Sequence, residues 1–600
     1  MLSIVDMEIS LKTVNNYYSF WRLHMGQAIL NEREINRLPL GYTSFSEIKK
    51  DDVIYVDKTD LICSIGKLKA TPVFLSRPRR FGKSLLLSTF ESLFSRGLKD
   101  FENFKIIKND LESEDKFWHN EKTYKVIHLD FSSYANTDLD TFKSELTLDI
   151  QTAIEGKASK DLTDAEKSMS PIRALKDYFN QKTGKSLVLL IDEYDSPITH
   201  SVDNPQKMKE MMDFISSFFA AIKSCEGMFR FVCITGITRL AHVSLFSMFN
   251  SLEDITLDED YSALLGITED ELHESFDTYV QNAAAVLDMS VSDVYARLKS
   301  TYNGFQFAIN AQRTVYNPWS IISFLKKPKQ GFSNYWYSTS GGISTMLVKY
   351  LQQNVNLELF NLLRNNVSNP GGERISVNRD TLLAKSEPDQ IPMHLLLYQA
   401  GYFTLKQTGK HRAKLVIPND EIAESMIQLS LDMQNLKPSD ETCDRLDELA
   451  DTIDSGNVEG VFSLFNAMLF ECVSANSKAF GDENTIRDII YALIPRDGIL
   501  KSKEVMNSQG FSDLELKTRQ TKLVIEFKRI AEVGGEDKVI EDAFTQMRTR
   551  HYGETTEPQK LIRAAMVIST GQRRLVAWRV MPDSAPADGC CKSDACLPDA

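Results

Sequence analysis

The sequence predicts an α/β protein, with a parallel sheet flanked by helices over the first half and a smaller α/β domain near the C-terminus. Three observations predict it. Between residues 39 and 257 apolar strand-like runs alternate with helical patterns, as a parallel sheet covered on both faces requires. One of those runs passes through a basic loop directly into Gly-Lys-Ser and an apolar helix. Far downstream, a strand–turn–strand pattern carries two carboxylates and a lysine.

The first strand and its loop lie in residues 71–87, TPVFLSRPRRFGKSLLL. This order suits a nucleotide's phosphates. Backbone N–H groups at the helix start face the anion and the helix dipole favours it, while Lys83 reaches the terminal phosphates and the Ser84 hydroxyl holds Mg²⁺. The loop contributes Arg77, Pro78, Arg79, Arg80, Phe81 and Gly82 to the same candidate site. The pattern G-x-x-x-x-G-K-[ST] wants glycine at position 77, where this chain has arginine. A solvated basic turn between two core elements is the competing reading of the triplet.

Further strand-like runs follow at residues 125–131 (KVIHLDF), 186–191 (SLVLLI) and 228–235 (MFRFVCIT). The second of these is apolar throughout, the pattern of a strand buried on both faces. It ends in Asp192-Glu193-Tyr194-Asp195. A nucleotide-bound Mg²⁺ needs a carboxylate at the tip of a neighbouring strand, and hydrolysis needs a second one to orient water. Asp192 suits the first role and Glu193 the second. The run at 228–235 leads to Gly236, Thr238 and Arg239. A polar strand end there suits contact with a γ-phosphate, and Arg239 suits stabilisation of transition-state charge; a plain turn is the equal alternative.

The C-terminal constellation starts with GFSDLEL at 510–516 and continues, after a turn at 517–522, with LVIEFKRI at 523–530. The two runs read as a hairpin. Glu526 and Lys528, two apart on a strand, share a face, and Asp513 is expected opposite. Two carboxylates converging with a lysine suit metal-assisted phosphodiester cleavage. The acids bind one or two Mg²⁺, and Lys528 positions or activates water. Charge alternating along an exposed strand face is the competing explanation.

The net charge of −14 argues against a chain that coats itself in nucleic acid. Locally, residues 501–580 hold fifteen Lys and Arg against eleven Asp and Glu, a net of +4, compatible with nucleic-acid contact. No apolar run has the length to span a membrane, and the first twenty residues do not read as a secretory signal. Eight cysteines, widely spaced except at the end, suit reduced thiols in a cytoplasmic protein. Cys590, Cys591 and Cys596 sit in a tail of Ala, Asp, Pro, Gly and Ser that reads as disordered.

Several segments carry a family resemblance: PLGYTSFSEIKKDDVIYVDKTDLI from Pro39, FLSRPRRFGKS to Ser84, LLIDEYDSPI, ITGITRL, LFSMFNSLEDITL, YNGFQF, YNPWSI and LLYQAGYFTL. Over residues 38–580 the chain resembles the bacterial AAA-ATPase-like family whose members carry a PD-(D/E)xK nuclease-like domain at the C-terminus. In that family arginine replaces the first loop glycine, as at Arg77. The resemblance implies ATP and Mg²⁺ as cofactors and a helical lid over the nucleotide. It also implies a restriction-endonuclease-like fold for the C-terminal domain. Glu483 matches a further acidic position of related nucleases, and Gln546 and Tyr552 match a helix flanking the site. Where family members often carry a basic residue between the glycine and Asp513, this chain has Phe511 and Ser512.

The expected organisation is an extension (1–37), a P-loop domain (38–257), a helical lid (258–345) and a winged-helix-like module (346–430). A helical connector (431–475), the nuclease-like domain (476–583) and the tail (584–600) follow. The expected function is ATP binding and hydrolysis coupled to Mg²⁺-dependent action on nucleic acid, DNA ahead of RNA. The alternative is a nucleotide-controlled switch or scaffold whose nuclease-like domain binds nucleic acid or protein without cutting.

Overall fold

The computed structural model describes residues 30, 34–35, 37–68, 72–156, 170–180, 185–240, 252–311, 313–338, 375–384, 391–433, 439–472, 483–494, 499–507, 510–554 and 559–582. Trp21, the tail cysteines and residues 346–374 of the expected winged-helix-like module lie outside them. The chain divides into two compact units, Met1–Met433 and Gln434–Ala600.

The first unit is built on five strands: β1 (Val73–Ser76), β2 (Lys125–Asp130), β3 (Leu187–Asp192), β4 (Phe229–Gly236) and β5 (Glu253–Asp254). They lie in the order β2-β3-β4-β1-β5, with every neighbouring pair parallel. β1, β3 and β4 are buried along their whole length, which is why their sequences are continuous rather than alternating apolar runs. The order puts β4 between β1 and β3, so the carboxyl ends that carry the two phosphate motifs flank one strand. Ligands of open α/β sheets bind outside such carboxyl ends.

The helix Lys83–Arg96 leaves the loop after β1 and buries Leu86, Leu87, Phe90, Leu93 and Phe94, an apolar stripe at helical spacing. Downstream, the helix Glu269–Leu287 opens with a capping box. Thr268 accepts from the Glu271 amide, and the Glu271 carboxylate accepts from the Thr268 amide, satisfying two N–H groups that a helix start leaves unpaired. Val291–Tyr302 follows, capped by Ser290.

A small antiparallel sheet of β6 (Ser376–Asn378), β7 (Thr404–Gly409) and β8 (Arg412–Val416) runs in the order β6-β8-β7. Residues 394–405 read from the sequence as short apolar strands, and here the structure corrects that expectation, with strand only from Thr404. Met393–Ala400 is a helix that stops at Gly401, whose φ is 92°. A short run buried on most sides has the same apolar pattern in either conformation. The left-handed glycine closes the helix and turns the chain into β7.

The second unit carries β9 (Leu500–Asn507), β10 (Gly510–Lys517), β11 (Thr521–Ile530), β12 (Lys560–Ser569) and β13 (Arg574–Val580), ordered β13-β12-β11-β10-β9. β10 and β11 form the expected hairpin, while β11 and β12 are parallel. The helix Glu536–Thr549 makes the crossover that a parallel pair requires and buries Ile540, Ala543, Phe544 and Met547. The helix Val458–Cys472, expected as part of the connector, packs on this sheet, with Asn466 exchanging two hydrogen bonds with the Leu575 backbone at 2.9 and 3.0 Å. Among the described residues no helix is long and apolar enough to cross a membrane, and Cys63, Cys225, Cys233 and Cys443 are free thiols.

Gly304, in the YNGFQF segment, has φ of 103°, and a Cβ there would lie 2.1 Å from the Pro418 carbonyl oxygen. Neither the dihedral nor the backbone neighbour can yield cheaply. Gly304→Ala is expected to lower stability by about 2–4 kcal/mol, read as an earlier urea midpoint of the first unit's transition.

Candidate active sites

The loop between β1 and the helix Lys83–Arg96 reverses direction through two left-handed residues, Arg80 at φ 66° and Gly82 at φ 96°. Position 77 has no such dihedral, so the turn does not need glycine there. Arg77 is buried instead. Its guanidinium donates to the carbonyls of Ser76 (2.9 Å), Thr256 (2.7 Å) and Tyr261 (3.4 Å) and lies 4.3 Å from the Phe307 ring centroid. Burial pulls its pKa down to about 10. Arg77 was expected near phosphate; these contacts make it a brace for the loop.

The other loop residues are held by segments far away in sequence. Phe81 is buried edge-on against Phe305 and Phe307, with centroids 4.9 and 5.1 Å away. Pro78 lies against Gly401 so closely that a Cβ on that glycine would be 2.8 Å from the proline ring. Arg80 donates to the carbonyls of Tyr335 (3.3 Å) and Trp336 (3.4 Å) and sits over Trp319 at 4.5 Å. Arg79, half-buried, makes no side-chain hydrogen bond or ion pair that would divert it among the described residues, and its charge acts on Lys83 and Glu193.

Lys83 is buried, and its ammonium donates to the carbonyls of Arg77 and Pro78, each at 3.0 Å. Burial lowers its pKa, against the opposing pull of Glu193, Asp192 and Asp195. Ser84 Oγ donates to Asp192 Oδ2 at 2.5 Å, so the expected magnesium pair meets across the distance from helix start to strand tip. Asp192 is buried and also accepts from the Glu193 amide at 3.0 Å and from the Thr235 hydroxyl. Glu193 has φ of 48°, an uncommon conformation for a non-glycine residue and one found at functional strand ends. Burial raises the Glu193 carboxyl above the ordinary 4.5, with Lys83 pulling it back.

The end of β4 differs from expectation. Thr238 donates through both its amide (2.7 Å) and its hydroxyl (2.5 Å) to the buried Asp195. Tyr194 donates to the Thr238 carbonyl at 2.9 Å. Arg239 pairs with Asp254 and lies 5.5 Å from the Phe74 ring centroid. These residues therefore form a clamp between the tips of β3 and β4, with Arg239 anchored to β5. Thr235 and Asp195 were given no role from the sequence, although Thr235 interrupts an apolar run with a polar group. A cavity of about 100 Å³ opens beside Phe81 and Gly82, walled by Pro39, Tyr55, Leu264, Ile267 and Pro318. Its apolar walls and the adjoining donor set fit a nucleotide with its base in the cavity.

In the second unit, the β10–β11 register pairs Leu514 with Ile525, which puts Asp513 across from Glu526 just beyond the last pair. There the strands part, and Asp513 Oδ2 accepts from the Phe527 amide at 2.8 Å. Glu526 is buried, and its Oε1 accepts from Lys528 Nζ at 2.8 Å. Lys528 also donates to Gln546 Oε1 at 2.9 Å, and Gln546 Nε2 donates to the Tyr552 hydroxyl at 3.1 Å. The structure thus brings together Asp513, Glu526, Lys528, Gln546 and Tyr552. Glu483 opens the helix Glu483–Leu493 as expected, and its side chain lies outside the described residues. Among the described residues no group of three His, Cys, Asp or Glu side chains gathers as a metal cage; the two carboxylates with the lysine suit an ion that retains water and phosphate ligands. A further participant is Arg487, buried, with its guanidinium 3.8 Å from Asp513 Oδ1. A lone cation in the apolar stretch of that helix was its signal.

The arginines separate by experiment. Arg77→Ala is expected to cost about 2–4 kcal/mol of stability in the absence of any ligand, since it removes the buried guanidinium that donates to the Ser76 and Thr256 carbonyls. Arg79→Ala is expected to stay within about 0.5 kcal/mol of the parent. Denaturant unfolding of both variants reads the difference.

Residues 39–246 match the family described as "Predicted AAA-ATPase", and residues 481–578 match the PD-(D/E)XK nuclease superfamily. A protein of Azotobacter chroococcum mcd 1, described as "Uncharacterized protein in vnfD 5'region", is 28% identical over 438 residues, covering 72% of this chain and 77% of its own. The loop at Lys83 and the carboxylates at β11 fall inside the two matched regions. The chain therefore joins an AAA-ATPase-like domain to a C-terminal domain of the PD-(D/E)XK nuclease superfamily.

Proposed function

We propose that the chain binds and hydrolyses ATP in its first unit and cuts nucleic acid, DNA ahead of RNA, in its second. The observation that carries the proposal is convergence. Lys83, Ser84, Asp192 and Glu193 meet at one edge of the parallel sheet, and Asp513, Glu526 and Lys528 meet where β10 and β11 part.

In the first unit the base enters the apolar cavity beside Phe81, and the helix N-terminus faces the phosphates. Lys83 exchanges its loop carbonyls for the terminal phosphates, and Arg79 adds positive charge beside it. Ser84 and Asp192 hold Mg²⁺. Glu193 orients the attacking water and takes up its proton. In the second unit Asp513 and Glu526 hold the divalent ion, and Lys528, kept in place by Gln546, aligns water on the scissile phosphate. The bound ions supply charge neutralisation and polarise the phosphates.

Glu193→Gln is expected to bind ATP like the parent while hydrolysis falls by about 100-fold or more. Because burial raises this carboxyl, ionising the base takes a higher pH than for an exposed glutamate. Hydrolysis is therefore expected to fall, on acidification, through an apparent pKa above 4.5, read from the pH profile of kcat.

The coupled reading is tested by Mg²⁺-dependent cleavage of DNA and RNA, with and without ATP, for the parent, Lys83→Ala, Glu526→Ala and Lys528→Ala. Glu526→Ala and Lys528→Ala are expected to lose cutting and keep ATP turnover, whereas Lys83→Ala loses ATP binding. A parent that cuts no nucleic acid, indistinguishable from Lys528→Ala, ends the nuclease reading.

A further inference from the structure

Residues 390–419 contain four Lys and Arg and no Asp or Glu, in a chain where 83 of 600 residues are acidic. The four cations, Lys406, Lys410, Arg412 and Lys414, all fall on the hairpin of β7 and β8 or on its turn at Lys410 and His411. Register fixes their faces. β8 pairs with β6 without a break, Asn378 with Arg412 and Ser376 with Lys414, so Arg412 and Lys414 share a face. Lys406 on β7 lies directly opposite Lys414 and so belongs to the same face. Burial follows this alternation. Leu405, Ala413 and Leu415, on the other face, are buried, while Lys406 and Arg412 are exposed and Lys414 is half-buried. The register shift of the hairpin lies beyond Lys406, between Gln407 and Gly409. At the base of the cationic face Thr404 is buried and accepts from the Gln306 amide at 2.7 Å. The open part therefore runs from Lys406 and Arg412 to the turn.

A run of charge is ordinarily a solvated face, and lysine on an edge strand guards against edge-to-edge pairing. Neither accounts for this arrangement. β8 is the central strand of the three, so Arg412 and Lys414 guard no edge. Like charges directly opposite one another destabilise a strand pair, and among the described residues these four cations enter no ion pair. An anion from outside the chain relieves that repulsion.

We propose that the hairpin is a DNA-binding arm of the first unit, its cations meeting the phosphates of a duplex. Its chemistry selects among polyanions. A two-stranded ribbon fits the major groove of B-form DNA, about 12 Å wide, whereas the major groove of an RNA helix is too narrow for side chains to read. The exposed residues 406–412 include no Phe, Tyr or Trp on which an unstacked base would stack, and no apolar side chain to enter a lipid surface. Phosphate contacts carry no sequence information, so the arm holds DNA without choosing a site. The inference goes beyond the nuclease reading and does not rest on it, since binding here needs no cleavage.

The test uses the full-length chain carrying Glu526→Ala as its parent, so that binding is read without cutting. Anisotropy of a short blunt duplex DNA is followed across a salt series. Lys406→Glu and Arg412→Gln together should weaken binding about 10-fold or more, to the same extent for unrelated sequences. The slope of log affinity against log salt should flatten by about one for each cation removed. Lys406→Glu faces Lys414 with an opposite charge, so its urea midpoint should hold or rise, which separates lost binding from lost folding. Lys406→Arg should bind like the parent, as should Lys209→Gln, at an exposed lysine on the helix Pro205–Ser224. A parent that does not bind the duplex, or hairpin variants with the parent's affinity and salt slope, overturns the arm. So does binding to phosphatidylserine vesicles that these variants lose while duplex binding stays. Cleavage by the chain with Glu526 intact judges the nuclease reading separately, whichever way the arm is decided.

Discussion

One buried carboxylate ties the first unit's motifs together. Asp192 ends a strand whose residues are all buried and accepts from Ser84, from Thr235 and from the Glu193 amide. A carboxylate withdrawn from water is tolerated only where donors satisfy it. Those donors come from the helix after the loop, from β4 and from the turn after β3. Satisfying Asp192 therefore sets the relative position of three segments, and the ammonium of Lys83 lies in the field of the same acids.

The loop itself is shaped from outside. Arg77 reaches the backbone at Thr256 and Tyr261, Phe81 sits between two rings of the YNGFQF segment, Pro78 lies on Gly401, and Arg80 lies on Trp319. Glu421, buried, accepts from the Trp336 amide at 2.9 Å and from Ser320 at 2.8 Å, joining the helix Asp420–Met433 to the chain around Arg80. Segments that resemble a family across most of the chain thus pack in one neighbourhood, and the loop's conformation is the joint product of their packing.

In the second unit the decisive constraint is a fork. While β10 and β11 pair, their backbone groups satisfy each other. Where they part, Asp513 takes the Phe527 amide in place of the lost ladder bond. Beside this parting the crossover helix brings Gln546 onto Lys528, which pairs with the buried Glu526. Asp513 thus has a structural duty, and Arg487, on the helix Glu483–Leu493 that precedes the sheet, lies close enough to offset its charge.

Sequence alone determined what local physics can determine. The strands β1, β3 and β4 were legible because strands buried on both faces are largely apolar runs, β2 because its apolar residues alternate with polar ones, and the hairpin because two strand patterns flank a polar turn. The spacing of Glu526 and Lys528 put them on one face, and Gly82-Lys83-Ser84 stood out at a strand-to-helix junction. The helix at Met393–Ala400 was not legible, since a short, thoroughly buried run has no period of its own. Only the tertiary structure decided which arginines are braces and which face the acids. Arg77, Arg79, Arg80 and Arg239 have the same chemistry and similar sequence positions, and they part company through carbonyls, rings and an aspartate supplied by distant segments. Burial and partner choice are long-range properties, and the order of residues along the chain does not encode them locally.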